Sequence, residues 1–215
     1  MKVALFTLGG TIASTGTSPT EGVTPRLTGA DLLASVPGLK QADAELTVHD
    51  FRQVPSSSLT IDDSLDLAVA IQDQTGPGGV DGVVVSQGTD TIEETSFLLD
   101  LVYDGDAPVV FTGAMRNPTL AGADGPANLL AAVTVAAAPQ ARGRGSLVVL
   151  GDEIHAARFV RKAHTTSVAA FISPPAGPLG FVAEGRAVLL TRPAHRPALP
   201  ALTSLRAPAN RPDQS

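Results

Sequence analysis

Residues 82–112 read GVVVSQGTDTIEETSFLLDLVYDGDAPVVFT, and this stretch decides the architecture. Val83, Val84 and Val85 form an apolar run without polar alternation, and Pro108 to Thr112 is a second short β-branched run. An unbroken apolar run of this length reads as a strand covered on both faces, as in a parallel sheet. Between the two runs, Thr91 with Glu94 resembles a capping box, and Ile92, Leu99 and Val102 then recur along one helical face. Strand, helix and strand in that order predict a right-handed crossover between parallel neighbours.

The same alternation extends in both directions. Lys2 to Thr7 and Leu46 to Phe51 read as strands before this unit, and Ser146 to Leu150 reads as one after it. Thr28 with Asp31 opens a short helix towards Val36, and Thr60 with Asp63 opens a longer one through Ile61, Leu65 and Ala68. Asp124 is placed to cap a helix with Pro126 in its first turn, continuing through Leu129, Leu130 and Val133. The expected fold class is α/β, an open and mostly parallel sheet flanked by helices. The sequence shows no internal repeat.

Two regions break the pattern. Residues 14–27, STGTSPTEGVTPRL, are rich in Gly, Pro, Ser and Thr and read as a long mobile loop of the kind that forms lids. The chain from 192 to 215 carries Pro at 193, 197, 200, 208 and 212 with little periodicity. The expected division is therefore a folded domain over 1–184 and a Pro-rich, disordered tail over 185–215.

Composition narrows the function. In 215 residues, 43% are hydrophobic and 17% charged, so most of the chain should be packed. A net charge of -6 with scattered Lys and Arg offers no stripe for nucleic acid. With no cysteine, disulfides, thiolate metal sites and thiol nucleophiles are excluded. The apolar run Val3 to Phe6 is too short for a signal peptide, and no run approaches the ~20 residues needed to cross a bilayer. A cytoplasmic protein without membrane contact is expected.

In an open parallel sheet, ligands bind beyond the carboxyl ends of the strands. Here those ends carry small and hydroxylated residues: Thr7-Leu8-Gly9-Gly10-Thr11, Ser86-Gln87-Gly88-Thr89-Asp90-Thr91 and Thr112-Gly113-Ala114-Met115. Each signal has an ordinary reading. Gly-Gly-Thr is common turn punctuation, Thr89 and Asp90 could cap a helix, and Lys162 could be a solvated surface charge. No phosphate-loop spacing accompanies Gly9-Gly10.

Taken together, the strings TLGGTIAS (7–14), GVVVSQGTDTIEETSFLLDL (82–101), PVVFTGAMRNPTLAGADGPANLLAAV (108–133) and LVVLGDEIHAARFVRKAHTTSVAAF (147–171) resemble the bacterial-type asparaginase family, with its two threonine-centred motifs. The resemblance runs from about Lys2 to Glu184. It implies hydrolysis of the side-chain amide of L-asparagine, with L-glutamine as a second substrate, through a threonine acyl-enzyme. By motif position Thr11 matches the nucleophile, and Thr89, Asp90 and Lys162 match the family's Thr-Lys-Asp triad. Gly88 and Ala114 fall where backbone groups meet the scissile amide. Ser56 falls where the family binds the substrate α-carboxylate, and Ser57 where it usually has Gln or Glu. Asp90 would also take the α-ammonium. Ser56-Ser57-Ser58 reads equally as a polar turn before the Thr60 helix. The resemblance implies no cofactor or metal, a small-molecule substrate and a homo-oligomer.

The chemistry such a site needs is plain. An alcohol is a weak nucleophile at neutral pH and needs a neighbouring base. A lysine serves if desolvation lowers its pKa, with a carboxylate to orient it.

Three departures from the family pattern stand out. Many members carry a loop tyrosine against the first threonine, whereas the only tyrosine here is Tyr103, and the aligned stretch is Glu21-Gly22-Val23-Thr24. Gln87 replaces a histidine often found before Gly-Thr-Asp. The family continues into a smaller second domain that contributes to a neighbouring subunit's site, and the sequence after Gly180 shows no such domain, so a second domain is expected to be absent. The competing expectation is therefore a catalytically impaired member that only binds small amino acids or self-associates. A subunit acting in tRNA amidation is disfavoured by the acidic charge.

Overall fold

The computed structural model describes residues 1–15, 24–25, 27–39, 44–174 and 176–193. In chain order its elements are β1 (Lys2–Thr7), β2 (Ser14–Thr15), β3 (Thr24–Pro25), α1 (Gly29–Ala34), β4 (Glu45–Asp50), α2 (Ile61–Thr75), β5 (Gly82–Ser86), α3 (Ile92–Val102), β6 (Val109–Thr112), α4 (Gly125–Ala136), β7 (Ser146–Leu150), β8 (Glu153–Ala156), β9 (Arg161–Lys162), β10 (Phe171–Ile172), β11 (Gly180–Ala183) and β12 (Arg186–Leu189). The apolar runs form the centre of a single eight-stranded sheet in the order β12-β11-β8-β7-β6-β5-β1-β4. Pairing is parallel from β4 through β7 and antiparallel from β7 through β12.

Both faces of the parallel part are covered. Val3, Leu5, Val84, Val110, Leu147 and Val149 belong to one apolar cluster with α1 and α4. Ala4, Phe6, Val85, Phe111, Val148 and Leu150 belong to the other, with α2 and α3. This is why the strand sequences lack polar alternation. Each fully buried Val or Leu contributes on the order of 2 kcal/mol.

Capping follows the sequence at two helices and departs from it at two. Thr28 with Asp31 and Thr60 with Asp63 form complete capping boxes. The Thr60 amide and hydroxyl, with Arg52, hold the Asp63 carboxyl down at about 2. The capping box expected of Thr91 and Glu94 does not form. A 3-10 turn over Thr89–Thr91 precedes α3, and the Thr91 hydroxyl donates instead to Ser56 O at 3.1 Å. Asp124 occupies the cap position of α4 without a capping bond, because its carboxylate accepts the Met115 and Arg116 amides at 3.0 and 2.8 Å.

The boundary expected at Glu184 is also corrected. Arg186–Leu189 pairs antiparallel with β11, and Gln140 Nε2 donates to Ala187 O at 2.9 Å. The alternation of buried Ala187 with exposed neighbours makes a half-covered edge strand, which periodicity alone did not distinguish from tail. The expected lid over 14–27 falls mostly on positions outside the described residues, as do Glu21-Gly22-Val23 and the tail from 194 onward.

Candidate active site

The strand order reverses around β1, which pairs with β4 on one side and β5 on the other. A crevice at such a reversal, beyond the carboxyl ends of the strands, is where open α/β sheets bind ligands. Leu8 N donates to Ser86 O at 2.9 Å and so carries the pairing past the end of β1. The chain then turns through Gly9 and Gly10, both left-handed, with φ of 97° and 83°. A Cβ on Gly10 would stand 2.1 Å from Gly88 N. The two main chains therefore touch, at the residues immediately before Thr11 and Thr89.

Two further contacts complete this cluster of backbones. A Cβ on Gly88 would lie 2.6 Å from Ser56 Oγ, and one on Gly113 would lie 3.1 Å from Thr89 Cγ2. Glycine at 10, 88 and 113 thus lets four chain segments converge around Thr89. Thr89 itself is buried.

Lys162 enters from the two-stranded β9–β10 ribbon. Its Nζ donates to Thr89 Oγ1 at 2.8 Å and to Asp90 Oδ1 at 2.6 Å. The Lys162 side chain is only 15% exposed, against 72% for Asp90. The surface-charge reading of this lysine is thereby set aside. An amine so placed, once neutral, can accept the hydroxyl proton of Thr89, while the carboxylate keeps it aimed.

The other expected residues lie around this core. Thr11 begins a 3-10 turn, Thr11–Ala13, that buries Ile12 and Ala13 and is secured by Ser14 Oγ donating to Gly10 O at 2.7 Å. Ser56 is buried at the start of the turn Ser56–Ser58, and Ser57 is exposed. The triplet forms the expected polar turn, and it packs Ser56 against Gly88. Ala114 is buried, and the loop that holds it is pinned by Asp124.

Several contributors lay outside the sequence reading. Asn128 Nδ2 donates to Gly113 O at 3.0 Å and Asn128 Oδ1 accepts from Gly151 N at 3.1 Å, joining two strand ends. A lone amide on the apolar face of ANLLAAV was the available signal. Arg158 pairs with Asp100, both largely buried, and Glu93 accepts the Lys162 amide. Gln87 is buried, with Nε2 at 3.3 Å from Thr95 Oγ1 and, among the described residues, no partner for its carboxamide oxygen. A cleft of about 330 Å³ also opens at the ends of β1 and β4, lined by Thr7, Gly9, Asp50 and Arg52, but not by Thr89 or Lys162.

The chain is thus an open α/β sheet with two glycine–threonine turns at its switch point and an amine bridging one hydroxyl to a carboxylate. This chain belongs to the asparaginase family: the family model described as Asparaginase, N-terminal, matches residues 2–195. It is 38% identical over 198 residues to a glutaminase-asparaginase of Pseudomonas fluorescens biotype A, covering 91% of this chain and 54% of the relative. It is 40% identical over 186 residues to L-asparaginase 2 of Bacillus subtilis (strain 168), covering 85% and 49%. The crystal structure of a probable cytoplasmic L-asparaginase from Campylobacter jejuni superposes with a TM-score of 0.83 at 35% identity, covering 89% of this chain and 58% of that one. The chain thus spans about half the length of the curated relatives it matches.

Among the described residues, no helix is long and apolar enough to cross a membrane.

Proposed function

We propose that this chain carries the hydrolytic centre of an L-asparaginase, converting L-asparagine and water to L-aspartate and ammonia through a threonine ester. The observation that carries this reading is Lys162 Nζ lying 2.8 Å from Thr89 Oγ1 and 2.6 Å from Asp90 Oδ1. Thr11 oxygen attacks the side-chain amide carbon, and its proton passes through Thr89 to Lys162. The C–N bond then breaks, and the nitrogen takes a proton and leaves as ammonia. Water attacks the ester, releasing aspartate and restoring the Thr11 hydroxyl. Backbone N–H groups at the Gly88–Thr89 turn serve the oxyanion, a contribution of about 3 kcal/mol per donor, and the Ala114 backbone meets the scissile amide. Ser56 and Ser57 take the α-carboxylate and Asp90 the α-ammonium.

A second assignment has its own support. Thr89, not Thr11, is the hydroxyl in contact with the amine, which favours Thr89 as the attacking group. Rapid quenching followed by mass spectrometry locates the acyl group and decides between them.

The proposed substrate class extends to L-glutamine, a reading supported by the glutaminase-asparaginase relative. The reading includes a cytoplasmic homo-oligomer that uses no cofactor, and the L-asparaginase and glutaminase-asparaginase relatives support its chemistry. The test is ammonia release from L-asparagine by the purified full-length protein and its Thr11→Ala and Thr89→Ala variants. Absent turnover, or rates unchanged in both variants, rejects the proposal; aspartate binding without turnover would identify a receptor for small amino acids.

A further inference from the structure

Lys162 is held at both ends, and only one end belongs to the triad. Its Nζ meets Thr89 and Asp90, while its backbone N–H donates to Glu93 Oε2 at 2.5 Å. The ribbon that carries it needs such a tether. β9 is two residues long and pairs only with the equally short β10, outside the eight-stranded sheet. Glu93 sits in the first turn of α3, three residues after Asp90, so one helix start holds the amine and the main chain of the same lysine. Further along α3, Asp100 pairs with Arg158 and anchors the approach to the ribbon.

We propose that Glu93 is a positioning residue for the Lys162 amine, acting through the lysine's backbone amide; this rests on the function proposed above. A lysine side chain has four rotatable bonds, and a displaced Cα moves Nζ away from both oxygens. Proton transfer at 2.8 Å tolerates little of that, since a misplacement of about 1 Å can cost on the order of a hundredfold in rate.

A carboxylate in the first turn of a helix also interacts favourably with the helix dipole. Glu94 supplies the control: it shares that turn but is exposed. The reach of the acceptor, not its charge, is what the tether requires. Glu93→Gln keeps an oxygen at the same reach without the charge, and Glu93→Asp keeps the charge one methylene short.

The experiment measures kcat and KM for ammonia release from L-asparagine, together with hydrogen exchange of the Lys162 amide by NMR, in the full-length protein. Glu93→Ala and Glu93→Asp are expected to lower kcat roughly 10- to 100-fold with KM changed less than about twofold. Glu93→Gln is expected within about threefold of the parent, and Glu94→Ala unchanged. Lys162 amide exchange should accelerate at least about tenfold in Glu93→Ala and stay slow in Glu93→Gln. Rescue by Asp but not Gln, an effect confined to KM, or equal amide exchange in Glu93→Ala and parent overturns the proposal. If the parent releases no ammonia, the proposed function fails by itself, and amide exchange still decides the tether. Should Glu93→Ala not fold, the Gln and Asp variants decide between reach and charge.

Discussion

Asp90 Oδ1 lies 2.6 Å from Lys162 Nζ across 72 residues of sequence. The carboxylate is largely exposed and the amine largely buried, so the pair spans the boundary between interior and solvent.

Replacing Lys162 with Met keeps the apolar stem and removes the amine proposed above as the base. The expected result is a loss of 10²- to 10⁴-fold in kcat for L-asparagine with the fold intact. Steady-state ammonia release and circular dichroism check both halves of that statement.

Gly10→Ala tests the contact between the two threonine-bearing turns. The residue sits at φ 83°, and the added methyl would stand 2.1 Å from the main-chain nitrogen of Gly88. Backbone strain and overpacking together should destabilise the protein by about 3 kcal/mol and abolish turnover. Urea denaturation measures the first effect.

Breaking the Asp100–Arg158 pair should be costly. Asp100 is 2% exposed in its side chain and also accepts the Ser146 amide at 3.0 Å. Asp100→Ala leaves a guanidinium facing the interior, with an expected loss of about 3–5 kcal/mol. A thermal melt reads it directly.

Acid sensitivity should carry the mark of His155. Burial lowers this imidazole from 6.5 to about 4, with Nδ1 held at 2.8 Å by Ser173 Oγ. Because its folded pKa lies below the unfolded one, the unfolded chain binds the extra proton between those values. The stability is therefore complete above pH 6.5, declines as pH falls towards 4, and declines no further from this group below that. The separation sets an upper bound of about 3 kcal/mol. In chemical denaturation across pH 4 to 7, His155→Leu should flatten this slope.

Thr60→Ala removes the capping box at the start of α2 without removing any group of the proposed site. The expected cost is about 1 kcal/mol, with kcat unchanged. Parallel melts and assays of this variant and Lys162→Met separate stability from catalysis.

How far the site could be read from the chain varied with the range of the interaction. The strands Lys2–Thr7, Gly82–Ser86 and Ser146–Leu150 were legible to the residue, because burial on two faces leaves an unbroken apolar run. Local caps at Thr28 and Thr60 were legible because donor and acceptor are three residues apart. Thr91 misled, because its hydroxyl was taken by Ser56, 35 residues away. β11 and β12 were missed because short, half-exposed strands resemble loop in composition.

By itself, then, the order of residues determined the layered α/β architecture, since burial period is a local property of the chain, and its resemblance to the asparaginase family marked Thr11, Thr89, Asp90 and Lys162 as a set. Only the tertiary structure decided which groups meet. Gly10 against Gly88, Lys162 against Thr89 and Asp90, and Glu93 under the Lys162 amide join segments separated by about 70 residues or more. Such contacts depend on how strands are ordered in the sheet and where each crossover returns, and no local pattern encodes those distances.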